Sequence, residues 1–419
     1  MKFDILTLDD FNVQGKTVLL RVDINQPVDK SSGILQDITR IKGCVPTIRE
    51  LSDKGAKVVL LAHQGGDLEY QNYFTTQPHA KVISELLERE VDFIDDVCGP
   101  AARQRIKELK PGQILLLDNV RFIAEEMTQF ETKLNLSPQE QSQTEVVRKL
   151  APLADLYVCD AFAAAHRSQP SLVGFQQVLP SAMGRLFEEE YCVLSSVMAE
   201  PKRPCLFILG GAKIQDAFMM MSTVLENEVA DYVLTGGLVS QIMLLADSVN
   251  LGEQSTGFIY KKNLASFIDE AKELLRLYSD KIVLPTDVSY VAGGRQEVAV
   301  AELPIDDMIV DIGQQAINKY VDLIKQSGTV FLNGPMGVFE KEESQLGTKA
   351  VWEAVAKANA YSVLGGGDSI TAVNKYGLQG KYSYICTGGG AMVRFLTGEE
   401  LPVVKALREA AKRFNATNK

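Results

Sequence analysis

Histidine is scarce in this sequence, at three residues in 419, and the six cysteines (Cys44, Cys98, Cys159, Cys192, Cys205 and Cys386) include no CxxC pair. Neither a His/Cys metal spacing nor a Cys/His nucleophile set can be assembled from them, which sets zinc chemistry and thiol catalysis aside. Cys159 and Cys205 sit inside apolar, strand-like runs, so buried free thiols are expected rather than disulfides. Long apolar runs are missing as well: none reaches the ~18–20 residues of a spanning helix. The N-terminus, MKFDILTLDDF, is acidic where a signal peptide starts basic and turns apolar. A cytoplasmic chain with no membrane partner is expected.

Positive charge is in deficit. Forty-three Lys and Arg against 54 Asp and Glu give a formal net charge of -11, so the molecule repels polyanions and nucleic acid is not an expected partner. A local basic pocket for a small phosphate stays open. Two nucleotide signatures are also absent. Gly15-Lys16-Thr17 has the ending of a P-loop, but the first glycine of GxxxxGK[ST] falls on Asp10 and a strand comes next where the motif needs a helix. No GxGxxG with the proper flanks exists either, which removes a dinucleotide-binding dehydrogenase.

What is present is an ordinary globular composition, 46% hydrophobic and 23% charged, in a length that suits two to three domains of ~150 residues. Apolar runs of four to six residues alternate with stretches of helical periodicity: TVLLRVD, KVVLLAHQ, QILLLDN and DLYVCDAF, then CLFILGG, DYVLTGG, KIVLPTD, TVFLNGP, YSVLGGG and SYICTGG. Such continuous runs mark strands buried on both faces, hence an α/β fold with parallel sheets covered by helices. Arg185 to Glu200 reads as a helix stopped by Pro201 and Pro204 and is expected to join two domains.

The two halves of the chain carry different residues at their strand ends. In the first, strand ends carry Asp23 and Asn25, His63, Asn119 and Arg121, His166 and Arg167; in the second they carry Gly210-Gly211, Gly236-Gly237, Gly334, Gly365 to Gly367 and Gly388 to Gly390. Open parallel sheets bind ligands beyond the carboxyl ends of their strands. Two sites of different chemistry are therefore expected, one binding a small anion through side chains and one letting a ligand approach bare backbone. Individual motifs leave alternatives open. LGGAKIQD is either an anion site built on amides and Lys213 or a tight turn with a solvated lysine. In LGGGDS, Asp368 could hold Mg²⁺ while Ser369 faces phosphate oxygens, or the pair could simply cap a helix. Arg40, Arg121 and Arg167 suit phosphate or carboxylate but also surface ion pairs.

Taken in order, KTVLLRVDINQP, AHQGG, LDNVRFIAEE, DAFAAAHRSQPSL, GGAKIQD, LPTD, DIG, NGPMGVFE, GGGDS and TGGGA resemble phosphoglycerate kinases of the archaeal type over essentially the whole chain. The resemblance implies two doubly wound, Rossmann-like domains joined by a hinge helix, 1–180 and 181–399, with a tail of about 400–419 back on the first. It implies a monomeric enzyme transferring a phosphoryl group between 1,3-bisphosphoglycerate and ADP. Asp23, Asn25, Arg40, His63, Arg121 and Arg167 would bind 3-phosphoglycerate. Gly211, Ala212, Lys213, Gly236, Gly237, Asn333, Pro335, Glu340, Gly366, Gly367, Asp368 and Ser369 would line the ATP or ADP site, with Glu340 on the ribose and Asp368 on Mg²⁺. Arg40 and Lys213 would be catalytic. Four positions depart from the pattern: Gly66 and Ala217 replace cations, Cys159 an asparagine and Cys386 a serine. The missing cations leave a second reading, a nucleotide-binding paralogue with impaired catalysis and a scaffold role.

Overall fold

The computed structural model describes residues 2–29, 31–65 and 73–417, with side chains as far as Phe414. Gly66 lies outside the described residues. The chain divides into two compact units, Met1–Cys192 with Glu400–Lys419, and Val193–Glu399. The division falls inside the helix Arg185–Ala199.

The first unit is built on a six-stranded sheet of β1 (Thr17–Arg21), β2 (Lys57–Leu61), β3 (Val91–Ile94), β4 (Ile114–Leu117), β5 (Leu156–Cys159) and β6 (Ser181–Met183), in the order β3-β4-β2-β1-β5-β6. Every pairing is parallel. All five residues of β1 are buried, as a strand covered on both faces requires. The helix Thr39–Asp53 turns Ile41, Cys44, Ile48 and Leu51 inward at helical spacing, and with Ile83 and Leu87 they join Val18, Leu20, Val58 and Leu60 in one core. The C-terminal helix Pro402–Thr417 belongs to this unit: Val403 N–H donates to the Ala165 carbonyl at 3.3 Å, and the Phe414 ring lies 5.3 Å from that of Phe11.

The second unit repeats the plan with β7 (Cys205–Leu209), β8 (Tyr232–Thr235), β9 (Ile282–Val283), β13 (Thr329–Asn333), β14 (Tyr361–Gly365) and β15 (Tyr384–Ile385), ordered β15-β14-β13-β7-β8-β9 and all parallel. Trp352, the sole tryptophan, is fully buried in its core beside Leu332 and Leu364. One feature was not expected. A small antiparallel sheet, β11-β10-β12, joins β10 (Asp287–Val291), β11 (Arg295–Ala299) and β12 (Asp311–Ile312). Its hairpin turns on Gly293 and Gly294, both at positive φ, where a residue with a Cβ is strained. All six cysteines are free thiols, and all but Cys192 are buried.

Candidate active site

In each unit the four central strands point the same way, so the loops after them leave from one edge of the sheet. In the first unit that edge gathers the residues after β1, β2, β4 and β5. Asp23 is buried and accepts from Arg40 Nη1 at 2.8 Å; Arg40 sits in the first turn of its helix and keeps about a third of its side chain exposed, at 35%. Asn25 Oδ1 accepts from Gly65 N–H at 3.0 Å, and Arg121 Nη1 donates to the Gly65 carbonyl at 2.6 Å. Arg121 is itself buried, with its guanidinium over the Tyr73 ring. Arg167 donates to Thr128 Oγ1 and stands 3.7 Å from Glu131.

His63 is the point at which these cations converge. Burial, reinforced by the charges of Arg21, Arg121, Arg40 and Arg167, holds its imidazole well below the usual histidine range. It is neutral at neutral pH. Four guanidiniums around one uncharged ring, two of them also beside the carboxylates of Asp23 and Glu131, suit a small ligand carrying carboxylate and phosphate.

Two residues that organise this edge were not singled out from sequence as ligands or supports. Gln64 Oε1 accepts from Gln26 N–H at 3.0 Å and lies 2.9 Å from His79 Nε2, which ties the loops after β1 and β2 together. Arg21 ends β1, fully buried. A signal for it existed, since an arginine interrupts the apolar run TVLLRVD. Asn119, in sequence only a polar strand end, spends its whole side chain on the loops: Oδ1 accepts from the Gln64 and Arg121 amides, and Nδ2 donates to the Gln64 and Phe74 carbonyls.

The second unit's edge has a different chemistry. The loops after β7, β8, β13 and β14 lie backbone against backbone: Gly211 N–H donates to the Pro335 carbonyl and Gly237 N–H to the Met336 carbonyl, both at 2.7 Å. Those amides are therefore engaged with the neighbouring loop. A Cβ on Gly334, at φ +86°, would run into the Gly210 carbonyl, and one on Gly366, at φ +92°, into Asn333 Oδ1. Gly236 would meet Met336. Much of the glycine content thus serves loop packing, whereas Gly367 has open space where a Cβ would stand.

Two adjoining cavities open here. The smaller is lined by Gly211, Ala212, Lys213, Asn333, Gly366, Gly367 and Asp368. The larger, of about 300 Å³, is mostly apolar and includes Leu238, Phe258, Ile309, Pro335 and Val338, with Glu340 and Asp368 among its polar linings. That size and character suit a small planar ligand. Lys213 is exposed at the start of the helix Ile214–Glu226 and, among the described residues, has no carboxylate partner. Asp368 is exposed near the start of the helix Gly367–Lys375, likewise without a paired donor. Ser369 stands apart from this picture. It is fully buried and its Oγ accepts from Gly334 N–H at 2.8 Å, so it holds a loop instead of facing the cavities. Cys159 and Cys386 are both buried.

Among the described residues no cluster of three or more His, Cys, Asp or Glu could cage a metal. An exposed carboxylate such as Asp368 beside the smaller cavity, which Asp216 also lines, is nonetheless what Mg²⁺ asks of a protein when phosphate and water supply its remaining oxygens. The residues fit that ion. No helix among the described residues is long and apolar enough to cross a membrane.

Comparison with known proteins decides the family. The phosphoglycerate kinase family model matches residues 8–399. The chain belongs to the phosphoglycerate kinase family. It is 46% identical over 410 residues to the phosphoglycerate kinase of Methanobacterium bryantii and 44% identical over 415 residues to that of Methanothermus fervidus, covering 98% of each chain in both cases. The crystal structure of the Pyrococcus horikoshii phosphoglycerate kinase matches with a TM-score of 0.87 at 42% identity, over 98% of this chain and 100% of that one. A bacterial phosphoglycerate kinase, from Coxiella burnetii, matches with a TM-score of 0.82 at 30% identity, over 97% of this chain and 100% of that one.

Proposed function

We propose that the arginine-rich edge binds 3-phosphoglycerate or 1,3-bisphosphoglycerate and that the glycine-rich edge binds ATP or ADP with Mg²⁺. The chain is a phosphoglycerate kinase: it moves a phosphoryl group reversibly between 1,3-bisphosphoglycerate and ADP. One observation carries the assignment of sides, namely that two sheets of the same plan offer cations at one edge and an apolar cavity beside a lone lysine at the other.

The chemistry needs little from side chains beyond position and charge. A terminal ADP oxygen attacks the acyl-phosphate phosphorus, the bond from phosphorus to the carboxyl oxygen breaks, and the electron pair leaves on a carboxylate. No proton has to move, which agrees with the neutral His63 and with the absence of a general base from the proposed set. Arg40, of whose donors only Nη1 is engaged among the described residues, and Lys213 supply the catalytic cations. Mg²⁺, when bound, neutralises charge on the phosphate oxygens, and Asp368 would hold it. Glu340 is assigned to the ribose. The paralogue reading yields to full-length kinship with kinases at 44–46% identity.

The test is Lys213→Ala in an assay coupled to 3-phosphoglycerate and ATP. Removing one preorganised electrostatic contact to a transition state typically lowers kcat by ~10²–10³, and the KM for ATP should change far less. A near-wild-type kcat would remove Lys213 from the catalytic role.

A further inference from the structure

Arg21, Ser171 and Glu126 form a buried chain of hydrogen bonds that ends on His63. Each of the three is fully buried. Glu126 accepts from Ser171 twice, from the amide at 2.5 Å and from Oγ at 2.8 Å. Ser171 Oγ, its proton given to Glu126, accepts from Arg21 Nε at 3.0 Å. The guanidinium also donates from Nη1 to the Val22 carbonyl at 2.6 Å, and its Nη2 stands 3.1 Å from His63 Nδ1.

That last contact has only one chemically allowed direction. A guanidinium has five N–H donors and no acceptor, so Nδ1 must present its lone pair. A neutral imidazole with a lone pair on Nδ1 carries its proton on Nε2. Among the described residues no acceptor is paired with Nε2–H, and His63 keeps a small exposed fraction, 7%.

We infer that Arg21, held by Ser171 and Glu126, is a positioning residue that locks His63 as an Nε2–H donor toward the carboxylate or phosphate of the three-carbon substrate. The inference rests on the proposed placement of that substrate at the arginine-rich edge. It gives a division of labour. Arg40 and the other guanidiniums supply charge, while His63 supplies one directional, uncharged hydrogen bond whose geometry is fixed before substrate arrives. Without the lock the ring is free to sample the other tautomer, which turns a lone pair toward an anion and repels it. Preorganisation of this kind lowers the cost of binding instead of adding a contact.

The test reads the tautomer directly, by ¹⁵N–¹H correlation of the His63 ring in the full-length, ligand-free protein between about pH 6 and 8, where an unperturbed histidine titrates. The wild type should show one Nε2-protonated form throughout. Arg21→Met should give mixed tautomers and raise the KM for 3-phosphoglycerate about tenfold, with the KM for ATP unchanged. Since Arg21→Met removes a buried charge and so puts folding at risk, Ser171→Ala serves as the second variant: it keeps the charge, removes the acceptor of Arg21 Nε together with the hydroxyl's bond to Glu126, and should mix the tautomers in part, with a few-fold rise in the same KM. An unaltered Nε2–H signal in both variants overturns the inference, as does loss of thermal stability with both KM values unmoved. His63→Gln separates the two layers. If the tautomer responds to Arg21 but His63→Gln leaves the KM for 3-phosphoglycerate unchanged, the lock is real and the substrate placement is what fails.

Discussion

Ala217 sits one turn after Lys213, its amide bonded to the Lys213 carbonyl at 3.1 Å, and it lines the smaller cavity of the second unit. The family pattern often puts a lysine there. Here the charged groups lining that cavity are Lys213, Asp216 and Asp368, one cation against two carboxylates. A charge-assisted hydrogen bond contributes roughly 1.5–3 kcal/mol, so Ala217→Lys is expected to tighten ADP binding by about ten- to a hundred-fold. The stem of a lysine can lie along the cavity wall while its ammonium reaches the opening. Titration calorimetry of ADP with and without Mg²⁺ checks this, the larger gain being expected without the metal. Equal affinity in variant and wild type, at unchanged thermal stability, would mean that the cavity does not hold the phosphates. Single residues also mark where sequence reading stops. For Lys213 and Asp368 the local pattern left a turn with a solvated lysine and a plain helix cap as alternatives, and it was the order of motifs along the whole chain that singled them out; the structure leaves both side chains exposed on one cavity. The role of Ser369 was not legible, since whether its hydroxyl faces a ligand or the Gly334 amide depends on how the loops after β13 and β14 meet, which no local pattern encodes.

At the scale of elements, the ten apolar runs all became strands, and Arg185 to Glu200 became the helix Arg185–Ala199. What escaped was short or half-exposed. β3 and β6 have four and three residues, too few to show a period, and β11 is only partly buried along its length, so it lacks the continuous apolar run that betrayed the others. The pair Gly293-Gly294 was the available hairpin signal. The helix Arg185–Ala199 is held at its start by charge: Arg185 bonds to both oxygens of Glu50 at 2.8 Å, to Asp9 at 2.6 Å and to Glu188 at 3.0 Å. Hydrogen bonds from Arg185, outweighing partial burial, hold the Glu50 carboxyl down at about 2. A depressed carboxyl stabilises the fold above its unfolded value, near 4.5, and that contribution is lost as pH falls toward 2. Arg185→Met should therefore move the acid-unfolding midpoint to higher pH, by about one unit or less for a single linked group. Far-UV circular dichroism against pH reads it, and an unmoved midpoint would show that the cluster is merely a surface ion-pair set.

Inside the molecule the same linkage also runs the other way, because burial raises three interior carboxyls. Burial raises Glu126 to about 6, Asp160 to about 7 and Asp311 to about 6. Asp160 comes directly after β5 and is fully buried, and that burial outweighs the hydrogen bonds it receives from Thr47 and from the Phe187 and Leu186 amides, the first of the amides donating to Oδ1 at 3.1 Å. Gly184 leaves it room, since a Cβ there would overlap the carboxylate. For a carboxyl raised in the folded state, the folded form binds its proton more tightly than the unfolded chain does. Its stabilisation is complete below the unfolded value near 4 and disappears as pH climbs through 6 to 7. Burial also holds His63 well below the usual histidine range and His79 down at about 4, and these two groups slope the other way, adding stability as pH rises to about 6.5, so the Asp160 contribution to the carboxyl slope is isolated by comparing the wild type with a variant. Asp160→Asn keeps the acceptor for the Phe187 amide and removes the ionisation, so the variant should lose part of that slope. At about 1.4 kcal/mol per pKa unit, full ionisation of Asp160 costs on the order of 4 kcal/mol, and the gain in the variant at pH 8 should be a sizeable fraction of it. Scanning calorimetry of both proteins between about pH 5 and 8 decides the matter: a variant with the same slope as the wild type would mean that Asp160 is hydrated and ionised in the folded chain.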